Sequence, residues 1–434
     1  PRSRSSAVAT AIASSSGATT ASAFSSLPVL HLPPADASRE DELAFCDALR
    51  EVCRTVGFFY VADHGVSAET MSGALPASRR FFALPDSAKL AMDNRGSPAF
   101  RGYVRLGAEN TAGAPDWREQ VEFGVEAAAP SVDERRRQPP HARLVGPNRW
   151  PDETLCPGFR DDLLRFMDET SRLSRRLMEL LALSLHLDRA HFDPTFGDDP
   201  NVQMKIARYP PEPERDGPSP ETSASARHPS SSSSEGSTRA TVGRFGVGAH
   251  TDSGYLSVLL QDDVGGLQVR NGLGEWIDAP PVPGALVVNL GEMVQLCTNG
   301  YYLATPHRVV SKPTPPGRAP RDRISVPFFW NPRLDAVVAP IDPMPATLPG
   351  AARGEGAGGE EEGGRDGRDE KDAAKRNVSV AMTDSHGEGR NALLGCYGAN
   401  ALKSLARSHP EVMRRHHPDL KVLPDGRVVR REED

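Results

Sequence analysis

A chain of 434 residues is long enough for one large domain or two ordinary ones, and length alone does not choose between them. The apolar fraction of 38% is low, but the deficit is concentrated in a few polar tracts, so the rest of the chain can still bury a core. A formal charge of −7 with no basic stripe between aromatics argues against nucleic acid as partner, and no apolar run reaches the roughly 18 residues that span a bilayer, so a soluble protein with no membrane attachment is expected.

The five cysteines, Cys46, Cys53, Cys156, Cys297 and Cys396, are widely spread and lack CxxC spacing, so neither a disulfide framework nor a zinc site is expected. A reducing compartment fits, the cytoplasm first. Residues 1–26 are rich in Ser, Ala and Thr, carry Arg2 and Arg4, and have no acidic residue before Asp36. They read as a disordered tail or as the remnant of a transit peptide, in which case a plastid or another organelle would be the destination.

Order is expected from Leu27, in an N-terminal region covering 27–200. A short strand over 27–30 precedes a helix capped near Ser38 and running to Gly57, with Phe45, Leu49, Val52 and Val56 as its inward stripe. A strand over 58–62 follows. The longest helix is expected over 159–187, where Phe159, Leu163, Phe166, Thr170, Leu173, Leu177 and Leu180 repeat every three or four residues. The region 201–348 changes to short β segments broken by Gly and Pro, at 202–209, 255–260, 267–269, 285–289, 307–310 and 324–330. Such strands around a small-molecule site suggest a double-stranded β-helix of the jelly-roll or cupin type, and with flanking helices the fold class is α+β. Two low-complexity tracts, 211–240 and 350–390, cannot bury enough apolar surface to offset their ordering entropy and read as disordered insertions. The segment 391–434 completes the domain with a helix over 393–412.

The chemistry is concentrated in His250-Thr251-Asp252, His307 and Arg323-Ile324-Ser325. Residues two apart on a strand point to one face, so His250 and Asp252 can offer an imidazole nitrogen and a carboxylate oxygen to one ion, with His307 added from a later strand. Two imidazoles and one carboxylate leave open positions opposite them, which is the ligand set of non-haem Fe(II) oxygenases. Gly248-Ala249 leaves room for close approach to the metal. Arg323 and Ser325 share a face by the same period, and a guanidinium beside a hydroxyl suits a buried carboxylate.

With these residues on the page, the chain resembles the isopenicillin N synthase-like branch of the 2-oxoglutarate/Fe(II)-dependent dioxygenases. The resemblance runs nearly the whole length, through Gly57-Phe58-Phe59-Tyr60, Asp63-His64-Gly65, Phe81-Phe82-Ala83-Leu84-Pro85, Arg101-Gly102-Tyr103, Asn148-Arg149-Trp150-Pro151, Tyr209-Pro210-Pro211, Gly265-Gly266-Leu267-Gln268-Val269 and Asn289-Leu290-Gly291-Glu292. It implies Fe(II) on His250, Asp252 and His307, and 2-oxoglutarate with its distal carboxylate on Arg323 and Ser325, to which Tyr209 would add its hydroxyl. It also implies dioxygen and a small organic molecule as co-substrates, hydroxylation with release of succinate and CO2, ascorbate as a reductant, and a monomer. Two departures stand out: Ala207 occupies a position where some members carry an asparagine that touches the co-substrate, and the loop 312–322 is longer than usual. Phe329, Tyr103 and Phe123 are candidate pocket walls or core, while His64, His186 and His191 read as structural or exposed. The rival readings are an oxidase of the same fold that does not use 2-oxoglutarate, and a catalytically silent small-molecule-binding relative.

Overall fold

The computed structural model describes residues 23–111, 114–211, 245–311, 317, 319–342, 344, 348 and 393–431. The tail over 1–22, nearly all of the expected insertion 211–240 and the whole of 350–390 lie outside the described residues.

The N-terminal segment builds a helical layer. β1 (Val29–His31) pairs in parallel with β2 (Phe58–Ala62). Between them α1 (Arg39–Thr55) begins at Ser38, whose hydroxyl accepts from the Asp41 amide, and places Glu40, Asp41 and Glu42 in its positive first turn. Its inward stripe is buried as expected. α2 (Ala68–Phe82), not foreseen from the sequence, starts on the Ser67 cap and tolerates Pro76 inside it. α3 (Asp86–Leu90), β3 (Gly102–Val104), β4 (Asn110–Thr111), β5 (Ala114–Pro115), β6 (Glu119–Gly124) and α4 (Val132–Arg137) lead to the scaffold helix α5 (Phe159–Ser184). That helix stops short of Leu187, and His186 then takes a left-handed backbone at φ 57°. α6 (Asp193–Phe196) turns the chain into the sheets.

The β core comprises β7 (Asn201–Tyr209), β8 (Phe245–His250), β9 (Leu256–Gln261), β10 (Leu267–Arg270), β11 (Trp276–Asp278), β12 (Leu286–Leu290), β13 (His307–Val310) and β14 (Arg323–Asn331), with α7 (Glu292–Cys297) inserted after β12. An eight-stranded sheet runs β1-β2-β12-β9-β14-β7-β6-β3, and a four-stranded sheet runs β11-β10-β13-β8. Long-range antiparallel pairing of this kind, with helices flanking it, is the α+β jelly roll that the sequence suggested.

The two faces of the large sheet differ in chemistry. Val61, Val258, Val288, Ile324, Val326, Phe328, Met204, Ile206, Val121 and Phe123 alternate onto one face and are buried, and α1, α2 and α5 pack against strands of this sheet. The other face carries Tyr209, Lys205, Gln203, Gln120, Glu122, Arg323, Ser325, Gln261, Ser257 and Asn289, since residues paired directly across a ladder share a side. A buried sheet face this polar is expensive unless its groups find partners, in the protein or in a ligand.

Past the second tract, the single helix expected over 393–412 is two helices, α8 (Tyr397–Ser408) and α9 (Pro410–His416), followed by a hairpin of β15 (Leu420–Val422) and β16 (Val428–Arg430). The break falls at His409, because Pro410 has no N–H to continue α8 and instead opens the next helix. Among the described residues no helix is long and apolar enough to cross a membrane.

Candidate active site

His250 is the last residue of β8 and His307 the first of β13, and the two stand directly opposite in the ladder. Their ring centroids are 4.2 Å apart. Each ring is oriented through its Nδ1: His250 toward the Gly248 carbonyl at 2.8 Å, His307 toward the Thr305 carbonyl at 3.2 Å. A carbonyl only accepts, so both Nδ1 atoms carry the proton and both Nε2 atoms present bare lone pairs. The edge of Phe58 packs on His307 at 5.1 Å between centroids.

Asp252 does not reach the site by the alternation of a strand, because β8 ends at His250. A turn brings its carboxylate back, held by the start of α7: the Glu292 amide donates to the Asp252 carbonyl at 2.8 Å, and the Thr251 hydroxyl donates to the Glu292 carboxylate. The two oxygens of Asp252 then have different duties. Oδ2 accepts from Ser257 Oγ at 2.6 Å and Asn289 Nδ2 at 2.8 Å, while Oδ1 lies 3.8 Å from each histidine Nε2. Three unencumbered donor atoms face one gap, and an ion about 2 Å from each could bridge it. Burial, with His307 beside it, pulls the His250 imidazole down to about 4, so the ring is neutral as a ligand requires. Burial works to raise the Asp252 carboxyl, but His307, His250 and the hydrogen bonds from Asn289 and Ser257 outweigh it and hold it below the usual range. The room expected at Gly248 serves a different neighbour: a Cβ there would meet Thr111 of β4 at 3.0 Å, not the metal gap.

Arg323 and Ser325 share the inner face of β14, as the period of two required, and both are buried. Arg323 Nη2 donates to Gln261 Oε1 at 3.1 Å, but its Nε and Nη1 are buried with no partner. Its unsatisfied N–H groups on two sides of the guanidinium leave it open to an incoming carboxylate. Tyr209 stands opposite Arg323, which lies over its ring at 4.8 Å, a cation–π contact. Arg118 donates to the Tyr209 hydroxyl that was expected to reach the co-substrate. Of the candidate walls, Phe329 is on the inner face opposite Gln203. Tyr103 and Phe123 are not: Phe123 stacks on Trp150 at 4.4 Å and Tyr103 packs against Phe81, on the helical side. Ser257, Gln261 and Arg118 went unassigned in the sequence, and Asn289 entered only as part of a motif without a role, because only the strand register brings them in.

Two family models cover most of the described core. Residues 27–153 match the N-terminal model of the non-haem dioxygenase in morphine synthesis, and residues 200–332 match the 2OG-Fe(II) oxygenase superfamily. A probable iron/ascorbate oxidoreductase of Dictyostelium discoideum is 33% identical over 73% of this chain and 84% of its own. The chain belongs to the 2OG-Fe(II) oxygenases, in the isopenicillin N synthase-like branch. A 2-oxoglutarate-dependent dioxygenase of Gibberella zeae is 31% identical over 93% of this oxygenase and 94% of that protein. Among solved structures, a full-length Neurospora crassa protein in complex with alpha-KG superposes with a TM-score of 0.57 at 25% identity, covering 73% of this chain and 88% of that one. The oxygenase therefore uses Fe(II), 2-oxoglutarate and dioxygen to oxidise a small organic substrate.

Proposed function

We propose that His250, Asp252 and His307 hold the Fe(II), that Arg323 and Ser325 receive the distal carboxylate of 2-oxoglutarate, and that the outcome is hydroxylation of a C–H bond on the inner face of the barrel. The observation that carries this reading is the division of labour at the site: every ligand atom left bare faces the same gap, while the other polar atom of each ligand is tied down. When bound, the iron supplies the coupled oxidation in which 2-oxoglutarate becomes succinate and CO2 as one oxygen atom goes to the substrate.

The protein's own residues supply placement. The backbone carbonyls of Gly248 and Thr305 keep both imidazoles in one tautomer, and Ser257 and Asn289 stop the carboxylate from rotating. Arg323 has unpartnered N–H groups for the distal carboxylate, Gln261 accepts from its Nη2, and the Tyr209 ring supports its face. The oxidase reading has no comparable use for the two unpartnered N–H groups unless a different carboxylate fills them. The buried, unpaired thiols of Cys46, Cys53, Cys156 and Cys297 support a reducing compartment, for which we propose the cytoplasm.

The test is metal content. The purified protein should take up one Fe(II) per chain, and His250→Ala, Asp252→Ala and His307→Ala should each lose most of it, because each removes a third of the protein donors. Full iron occupancy in any one of these variants would remove that residue from the ligand set.

A further inference from the structure

Among the described residues, the inner face carries a buried cation to which neither the iron, the co-substrate nor a carboxylate of the protein is matched. Gly124 of β6 stands opposite Gln203, Gln203 opposite Phe329, Phe329 opposite Ser257 and Ser257 opposite Asn289, a single row around the barrel. One end of this row holds Asp252 through Ser257 and Asn289. At the other end, the Arg101 guanidinium lies where a Gly124 side chain would be: a Cβ there would fall 2.0 Å from its Nη2 and 2.2 Å from its Cζ.

Arg101 is only 5% exposed, yet it is poorly matched. Its guanidinium makes one long bond, Nη2 to the Leu144 carbonyl at 3.4 Å, and Nε has no partner. Among the described residues no carboxylate lies within ion-pair distance of it. Apart from Arg323, which the co-substrate is proposed to use, the other inner cations have counter-ions: Lys205 pairs with Glu122 at 2.9 Å, and Arg118 with Glu109 at 2.7 Å and Asp116 at 3.3 Å. Gln120 bridges Glu109 and Glu122, closing that network on itself. Arg101 is thus the cation left over, and a buried guanidinium without a counter-ion is costly unless a ligand supplies one.

We propose that Arg101 receives a carboxylate of the primary substrate, so that this oxygenase acts on a small organic acid gripped by its anionic end on the row of residues that holds Asp252. The proposal rests on the reading of the iron and 2-oxoglutarate sites given above. The planar fork of a guanidinium suits a carboxylate, and the nearby charges of Glu122 and Glu126 disfavour a dianion such as phosphate. Gly124 and Ser257 are three strand spacings apart, about 14 Å along the sheet and less across its curve, which bounds the distance from carboxylate to oxidised carbon.

The experiment uses the Fe(II)-loaded full chain with 2-oxoglutarate, oxygen and a panel of small carboxylic acids, amino acids included, each beside its primary amide. Succinate formation should be stimulated by one or more acids and not by the matched amides. In Arg101→Leu the acid concentration for half-maximal rate should rise about tenfold or more, while iron content and 2-oxoglutarate binding stay at wild-type levels. Arg101→Lys should recover part of the loss, and Gly124→Ala should reproduce it by displacing the guanidinium. The proposal is overturned if uncharged compounds serve as well as acids, if no acid is accepted, if Arg101→Leu keeps the wild-type half-saturation, or if that variant also loses iron or 2-oxoglutarate. Failure of the wild type to bind 2-oxoglutarate would instead bring down the reading beneath it.

Discussion

At the residue scale, the asymmetry of Asp252 shows how a single carboxylate would serve as the proposed ligand without wandering. Oδ2 takes two hydrogen bonds, and what remains is one oxygen aimed between two imidazole nitrogens. Such supporting partners tune metal affinity by about 10–100-fold. Asn289→Ala should therefore weaken Fe(II) binding by roughly tenfold without abolishing it, as read from anaerobic titration of the apo-protein. An affinity equal to wild type would show that Ser257 alone orients the carboxylate. The triad and the Arg323–Ser325 pair were legible because their residue types and spacings are unusual together. Ser257, Gln261 and the roles of Asn289 and Arg101, which stood out only as members of motifs, were not, because these residues become neighbours only through pairing between strands far apart in sequence, and one sequence does not contain that register.

At the scale of elements, α1 and α5 are joined by a charge cluster as well as by their apolar stripes. Glu42 of α1 is buried, and accepts from Arg189 at 2.7 Å, from Arg176 of α5 at 2.8 Å and from Arg39 at 2.9 Å. The Arg189 hydrogen bond is the main reason that its carboxyl is held down to about 2 from an ordinary 4.5. A folded pKa below the unfolded one adds stability that is complete above 4.5 and is lost as the pH falls toward 2. Glu42→Gln should accordingly cost roughly 1–2 kcal/mol at neutral pH, modest because two of the arginines reach solvent, with the difference shrinking below pH 4.5. Urea midpoints of both proteins across that range would check it; a gap that does not depend on pH would assign the loss to packing. α1 and α5 could be read from periodicity. α2 escaped notice because Gly73 and Pro76 interrupt its pattern, and the split between α8 and α9 shows that Pro410 deserved more weight than the apolar spacing around it.

At the scale of the whole molecule, the large sheet is buried on both faces for opposite reasons. Its apolar face packs on helices and supplies the hydrophobic stabilisation, while its polar face is tied together by hydrogen bonds and ion pairs that leave Arg323 and Arg101 incompletely paired. The fold class was legible from short strands after residue 200 and helices before it. The contrast between the two faces was only partly legible, since alternation identified Arg323, Ser325 and Phe329 but not which strands would complete the wall. On the proposed function, this polar face binds 2-oxoglutarate at an iron held by His250, Asp252 and His307. Its most direct test is an anaerobic titration of 2-oxoglutarate into the Fe(II) protein, followed through the metal-to-ligand charge-transfer absorption expected of the chelate. The wild type should develop the band. Arg323→Leu should need more than ten times as much 2-oxoglutarate, since removing one partner of a buried charge pair costs about 2–5 kcal/mol, and Asp252→Ala should show no band. A wild type without the band, or an Asp252→Ala variant that develops it at the same concentration, would contradict the account.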